Sequence, residues 1–385
     1  MNETSTPAAL APFLSEKFRF WSFVSMALLV FVHGYTIPPT YLQPWTTPEL
    51  PLGLTSFTEY LLANGLLRFR IPMLFAISGF LFALHDAQSH RQRMKKRVRS
   101  LLLPYILWSG IHLVILYLME TDPTLRSWVS AHGIAAISEQ QQLVHDYQWN
   151  DVLIRWLLAP VPYQLWFIRV LFLYNLAYPL LAGWVTGRTS CKVFFAVTVL
   201  LWLASVNIFF FEGEGLLFFG LGIWMQKSAF NLATPGRWLR PVPWAVLWLA
   251  SATAKTWLAF EGQAMLGDAV FPVMANLHKL CIFAGLVTAW YGSDGLVRFL
   301  MARRWFVWSS AFSFMIYALH APLVALLIDP CLRLFGNLSD PHLATFLFLP
   351  LCLIAVSIML GALLRRTAPA AYAMLTGGRG LSVGR

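Results

Sequence analysis

The sequence predicts an all-α membrane protein, a polytopic bundle of about ten transmembrane helices with both termini in the cytoplasm. Three observations carry that expectation. Of 385 residues, 58% are hydrophobic and 12% charged, with a mean hydropathy of +0.63; soluble chains carry roughly 25% charged residues. A soluble core cannot hide that much apolar surface, so lipid must replace water over much of it. The 17 Trp and 12 Tyr suit aromatic belts at the two interfaces. Finally, the basic residues fall in alternate loops and form no continuous patch. The net charge of +11 is therefore a statement about topology, and nucleic acid is excluded as a partner.

Apolar runs long enough to cross the bilayer lie at 20–37, 62–84, 101–118, 161–183, 193–211, 214–226, 242–259, 271–291, 306–328 and 343–364. The first is too long for a signal-peptide core and ends in Thr36, Ile37, Pro38, Pro39 and Thr40, where cleavage needs a small-x-small site, so it reads as an uncleaved span. The sixth is short enough to be re-entrant on length alone; it counts as a span because the loop charges alternate only if it crosses. The chain divides into a cytoplasmic segment 1–19, a membrane domain 20–364 and a basic tail 365–385.

Loop charge sets the orientation. Arg91, Arg93, Lys95, Lys96, Arg97 and Arg99 crowd the loop after the second span. Placing that loop in the cytoplasm also puts there Lys17, Arg19, Arg188, Lys192, Lys227, Arg237, Arg240, Arg298, Arg303, Arg304, Arg365, Arg366, Arg379 and Arg385. The opposite loops keep only Arg126, Arg155 and Arg333, and they collect the acids, among them Glu59, Glu139, Glu212, Glu214 and Asp340. The largest outer loop, 119–160, carries His132 and His145. It reads either as a cap over a substrate cavity or as a solvated connection. Cys191, Cys281, Cys331 and Cys352 show no ligand spacing and fall in different layers, so neither a disulfide framework nor a metal site is expected.

Five basic residues lie inside predicted spans: Arg68, Arg70, Arg169, Lys255 and Lys279. A charge at the bilayer centre costs at least about 2.5–3.5 kcal/mol, and no acid lies well inside any span. Lys255 is close enough to the outer end to snorkel. Arg68, Arg169 and Lys279 sit about 10–12 Å deep at 1.5 Å per residue. Two readings stand. One is a water-filled cavity with an uncompensated positive lining, suited to phosphates or a developing oxyanion. The other is pairing with backbone carbonyls where helices break. His33, His112, His278 and His320 also fall in spans, and an imidazole can take a proton from a hydroxyl near neutral pH. Ser309, Ser313, Tyr317 and His320 recur at helical spacing in the ninth span, and a polar stripe in a membrane helix faces protein or water.

Five segments in order give the chain a resemblance to the acyltransferase 3 family of integral membrane acyltransferases, which includes enzymes that O-acetylate bacterial surface polysaccharides. They are Val30-Phe31-Val32-His33-Gly34 in the first helix; residues 68–82, with Pro72, Phe75, Ser78 and Gly79; the basic run 95–105 leading into Pro104; Tyr163-Gln164-Leu165-Trp166-Phe167-Ile168; and residues 313–322, with Ser313, Ile316, Tyr317 and His320. Three positions depart from the family pattern. Ser22 stands where the family carries a basic residue eleven positions before the His, the nearest base being Arg19. Leu74 replaces the first Phe of a Phe-Phe-x-x-Ser-Gly run, and Lys96 takes one place in an Arg-x-x-Arg pair.

The resemblance implies transfer of an acyl group, most often acetyl, from cytoplasmic acyl-CoA to a hydroxyl of an extracytoplasmic or lipid-linked carbohydrate in a bacterial inner membrane. Other polysaccharide-biosynthesis proteins would be its partners. It implies His33 as general base or acyl carrier, with Arg68 and His320 beside it. Arg93, Lys96, Arg97 and Arg99 would hold the nucleotide phosphates, although the positive-inside rule explains that cluster equally well. Ser309, Ser313 and Tyr317 would line the path of the pantetheine arm, and Arg70, Arg169, Trp166 and Lys279 would meet substrate. His33 lies only about 6 Å from the outer end of a 20–37 span, so either the arm threads most of the membrane or the helix continues past Ile37. A transporter for an anionic solute is the competing reading; matched inverted repeats would favour it, and no internal symmetry is visible.

Overall fold

The chain forms long apolar helices packed side by side; the computed structural model describes residues 10–132, 142–208 and 210–381. Glu139 and Arg385 of the charge pattern lie outside the described residues. Among those residues the only strands are Asn207–Ile208 and Phe211–Glu212, paired antiparallel. Five continuous helical stretches are long and apolar enough to cross a bilayer: Leu54–Leu84, His90–Met119, Pro241–Gly292, Ser313–Leu334 and Pro341–Thr367. Two bent pairs, Trp149–Leu158 with Tyr163–Leu176 at 58° and Tyr178–Thr186 with Arg188–Leu203 at 113°, raise the number to seven if each is one span. The protein is an all-α, multi-pass membrane protein.

Pro241–Gly292 doubles back. Gly267, at φ 53°, ends helix Pro241–Leu266, and Val270–Gly292 returns along it with Gly292 beside Pro241. Helix Gly213–Lys227 packs lengthwise on Arg70–Leu84, with Gly79 and Gly222 at the crossing.

Boundaries differ from the sequence expectation in several places; the expected 161–183 run breaks at Ala177 and the 193–211 run is helical only over Arg188–Leu203. The first helix runs Pro12–His33, not 20–37. Proline presets the first helical turn, and 22 residues rise about 33 Å, enough for the hydrocarbon core. The helix therefore ends at His33, and Tyr35, Thr36 and Ile37 are buried in non-helical chain. Lys17 and Arg19 enter the helix because partners await them. Lys17 Nζ lies 2.5 Å from Asp294 Oδ1, and Arg19 donates to Ser310 Oγ at 2.8 Å and Val307 O at 2.6 Å. The ninth span is two helices, Arg304–Ser310 and Ser313–Leu334. The turn between them buries Phe312 beneath the Arg365 guanidinium and beside Tyr372, so the polar stripe begins at Ser313 and Ser309 lies off it. The stretch 365–385 carries a further helix, Pro369–Thr376, whose Leu375 carbonyl accepts from Trp108 Nε1 at 3.0 Å.

Loops expected on one side of the membrane bond to one another. In one layer Lys17 meets Asp294, and Asp86 meets both Arg93 and Lys227. In the other, Thr36 joins Glu59 and His342, Thr55 joins Asp340, and His132 joins Asp329.

Candidate active site

A broken helix builds the site. Within Leu54–Leu84 the α turns give way to a π turn at Leu61–Gly65 and a 3-10 turn at Leu66–Phe69. Breaking the ladder frees carbonyls that lipid cannot satisfy, and side chains take them. Arg68 donates through Nε to Ala63 O at 3.1 Å, and its Nη2 also ties down Leu42 O, in the non-helical chain before this helix, at 2.9 Å. Arg70 Nη1 reaches Leu67 O at 2.8 Å, Lys255 Nζ reaches Asn64 O at 2.5 Å, and Cys281 Sγ lies 3.4 Å from Gly65 O.

Lys255 does not snorkel. It is fully buried, and its ammonium also lies 3.1 Å from His278 Nδ1, which must accept because an ammonium only donates. The carbonyls at the break outcompete the distant interface. Lys255→Met removes the donor shared by the buried Asn64 carbonyl and His278 Nδ1, and a buried acceptor left without a donor costs about 1–3 kcal/mol. We expect a lower melting temperature in detergent; an unchanged melt would show that the break holds without this lysine.

Beside the break lies a cavity of about 450 Å³. His33, Arg68, Arg70, Trp166, Arg169, Lys279 and Tyr317 all line it, so most of the residues singled out in the sequence converge. Arg68 and Arg70 therefore cap carbonyls, as the second reading has it, and also face a cavity, the part of the first reading that holds. Arg169 Nη1 donates to Leu158 O. His320 is fully buried behind the wall, its ring centroid 5.1 Å from that of His33. Its Nδ1 lies 2.8 Å from Tyr317 O and 3.1 Å from Ile316 O. Carbonyls only accept, so this nitrogen carries the proton, and the buried Nε2 has no hydrogen-bond partner among the described residues. Tyr317 donates to Gln164 O at 2.5 Å, and Gln164 Nε2 returns a bond to Ala318 O at 3.1 Å. That exchange pins Tyr163–Leu165 to the helix bearing His320.

The lining is not uncompensated. Glu212 and Glu214 enter the same cavity, Glu214 Oε2 accepting from Trp202 Nε1 at 2.9 Å and Glu212 Oε2 from Gly215 N at 2.5 Å. Their presence has a cause legible in the sequence but missed there. The 15 residues of Gly213–Lys227 rise about 22 Å, short of the roughly 30 Å core, so one end of that helix must lie within the bundle. Tyr163 was also missed: its hydroxyl oxygen lies 2.6 Å from His33 Nδ1.

Other candidates lie elsewhere. Arg93 is committed, with Nη1 2.6 Å from Asp86 Oδ1, a bond to Phe82 O, and its guanidinium 4.6 Å over both Phe82 and Tyr178. Burial pushes the Asp86 carboxyl up, but Lys227, Tyr178 and Arg93 outweigh it and hold the group below its ordinary range. Lys96 and Arg99 are exposed, Lys96 bonding Gln88 at 2.8 Å, and Arg97 lies 5.2 Å over Phe82. Ser309 and Ser313 are half-buried away from the cavity lining. His112 bonds its own helix at Trp108 O, 2.6 Å. No described residue of 119–160 lines the cavity. Residues Ile154–Leu158 of that loop pack on helix Leu103–Met119, where Trp156 Nε1 donates to Ile106 O at 2.9 Å, and the cover comes instead from Thr40–Trp45 and residues 205–207.

A cavity that sets an imidazole beside guanidinium groups inside a membrane bundle suits transfer chemistry at a hydroxyl, and sequence comparison names the class. The chain belongs to the acyltransferase 3 family, whose acyltransferase domain matches residues 22–363; it is an integral membrane O-acyltransferase. It is 27% identical over 358 residues, 91% of this chain and 89% of the relative, to the succinoglycan biosynthesis protein ExoH of Rhizobium meliloti (strain 1021). No solved structure matches it.

Proposed function

We propose that this enzyme moves an acyl group, acetyl in the first instance, from acyl-CoA to a hydroxyl of an extracytoplasmic or lipid-linked carbohydrate in a bacterial inner membrane. The observation that carries this is the meeting of His33 with Arg68 and Arg70 in one cavity. In the proposed step His33 Nε2 takes the acceptor hydroxyl proton as the oxygen attacks the thioester carbonyl. The C–S bond then breaks, and the departing thiolate recovers the proton from His33. Arg68, whose Nη1 has no protein partner among the described residues, and Arg70 steady the charge on the carbonyl oxygen. Lys279, Arg169 and Trp166 meet the acceptor, and His320 supports His33. The polysaccharide assignment rests on the relative's name and on the carboxylates and indoles that share the cavity.

The proposed topology has ten crossings. The hairpin 241–292 counts as two, Pro12–His33 crosses, and Gly213–Lys227 completes a crossing with the extended residues Phe211–Glu212 before it. Both ends then face the cytoplasm, where Lys96, Arg97 and Arg99 meet the nucleotide phosphates and the arm passes Ser313 and Tyr317. The test is vesicles holding the purified protein, supplied with labelled acetyl-CoA and envelope glycans. Label on a glycan hydroxyl, matched by free CoA, supports the reading. Movement of an anionic solute without CoA release would replace it with the transporter.

A further inference from the structure

The hydroxyl of Tyr163 touches the one nitrogen of His33 that the proposed chemistry does not use. We propose that Tyr163 is a positioning residue that accepts a hydrogen bond from His33 Nδ1–H, holding the imidazole in the tautomer whose Nε2 lone pair faces the acceptor. This inference rests on His33 acting as a base.

A neutral imidazole carries one proton, and its partner decides where. If the tyrosine donated to Nδ1, the proton would sit on Nε2 and the ring could take nothing from a hydroxyl. If the tyrosine accepts, Nε2 is free. Two observations are consistent with acceptance. The contact is short, 2.6 Å, and the rings meet edge to face with centroids 5.3 Å apart, so the imidazole is held in position as well as bonded. Tyr163 lines the cavity and is 44% exposed as a residue, so its hydroxyl has room to turn its own proton into the cavity while its oxygen receives Nδ1–H. The place of Tyr163 is itself fixed, because Gln164 is bonded on both sides to the helix carrying His320.

When His33 becomes imidazolium, Nδ1–H gains charge and its bond to the tyrosine oxygen strengthens, so the contact favours the transition state over the ground state. Tyr163→Phe keeps the ring and removes the oxygen. Expected is a fall in kcat of about 10–100-fold with donor and acceptor KM within about twofold, and a larger solvent isotope effect on kcat as proton transfer becomes limiting. Replacing Tyr163 with 3-fluorotyrosine, close in size and a poorer acceptor, should give an intermediate rate even if the phenylalanine variant folds badly. A kcat within twofold of the parent for either replacement in folded protein overturns the inference, since a packing role alone would leave both active. If His33→Ala retains activity, the base reading itself fails; if His33→Ala is inactive while Tyr163→Phe is normal, only this inference does.

Discussion

His33→Ala is expected to lower acyl transfer by about 10²–10⁴-fold, the range for removal of a positioned general base, while leaving the protein folded in the membrane. The two halves of that expectation have separate grounds. His33 is the last residue of its helix, and Gly34 N already caps Val30 O, so the ring is not needed to end the helix. It is half-buried at the cavity wall and its hydrogen bond is to an exposed tyrosine, so truncation opens space toward the cavity and leaves no large void in the core. Activity is different, because the other imidazoles near the site are otherwise engaged, including His278, which also lines the cavity. His320 is fully buried, and His278 receives the Lys255 ammonium. Transfer of labelled acetyl to acceptor, set against the yield and melting of the extracted variant, separates the two. Full activity in a folded His33→Ala protein would remove this residue from the chemistry.

How much of this was legible in the sequence depended on what lipid tolerates. Lipid accepts no polar group it cannot satisfy, so Arg68, Arg70, Arg169 and Lys279, once placed inside apolar runs, had to face the interior. Inside a bundle they had little choice but to meet His33. The same rule misled at Lys255, where reach to the interface looked sufficient. The helix break that captures it depends on a backbone irregularity at Leu61–Phe69 that no spacing of side chains announces. Glu212 and Glu214 were read as loop acids because charge counting sorts residues by side and not by depth. The polar stripe failed at Ser309 for a related reason. Periodicity runs through the turn at Ala311–Phe312 as though the helix did, and only the seat of Phe312 under Arg365 shows that it stops. Arg93 looked like its basic neighbours in sequence, and what separates it is Asp86, seven positions away in the chain and in contact in space.

The second large effect is on stability, at the crossing of helices Arg70–Leu84 and Gly213–Lys227. Without a hydrophobic force between helices in lipid, close backbone approach does the work, and small residues permit it. A Cβ added at Gly79 would overlap the Phe219 carbonyl oxygen and lie 3.0 Å from its carbon; one at Gly222 would overlap the Ala76 carbonyl oxygen and lie 2.8 Å from Phe80 N. These neighbours are backbone, which cannot swing aside, so the helices must part. Alanine favours a helix interior over glycine by about 1 kcal/mol, yet forced overpacking costs about 1–3 kcal/mol or more. We therefore expect Gly79→Ala and Gly222→Ala each to lower stability by about 2 kcal/mol. The double variant should fall short of the sum, because helices parted by the first methyl have already made room for the second. Gly183→Ala is the control: it too sits in a helix, but nothing lies within 4 Å of its added Cβ, so helix propensity alone should leave it neutral or slightly more stable. Thermal melts of the four variants and the parent in one detergent decide the matter. Equal melting temperatures for Gly222→Ala and Gly183→Ala would mean that this crossing is not held by backbone contact.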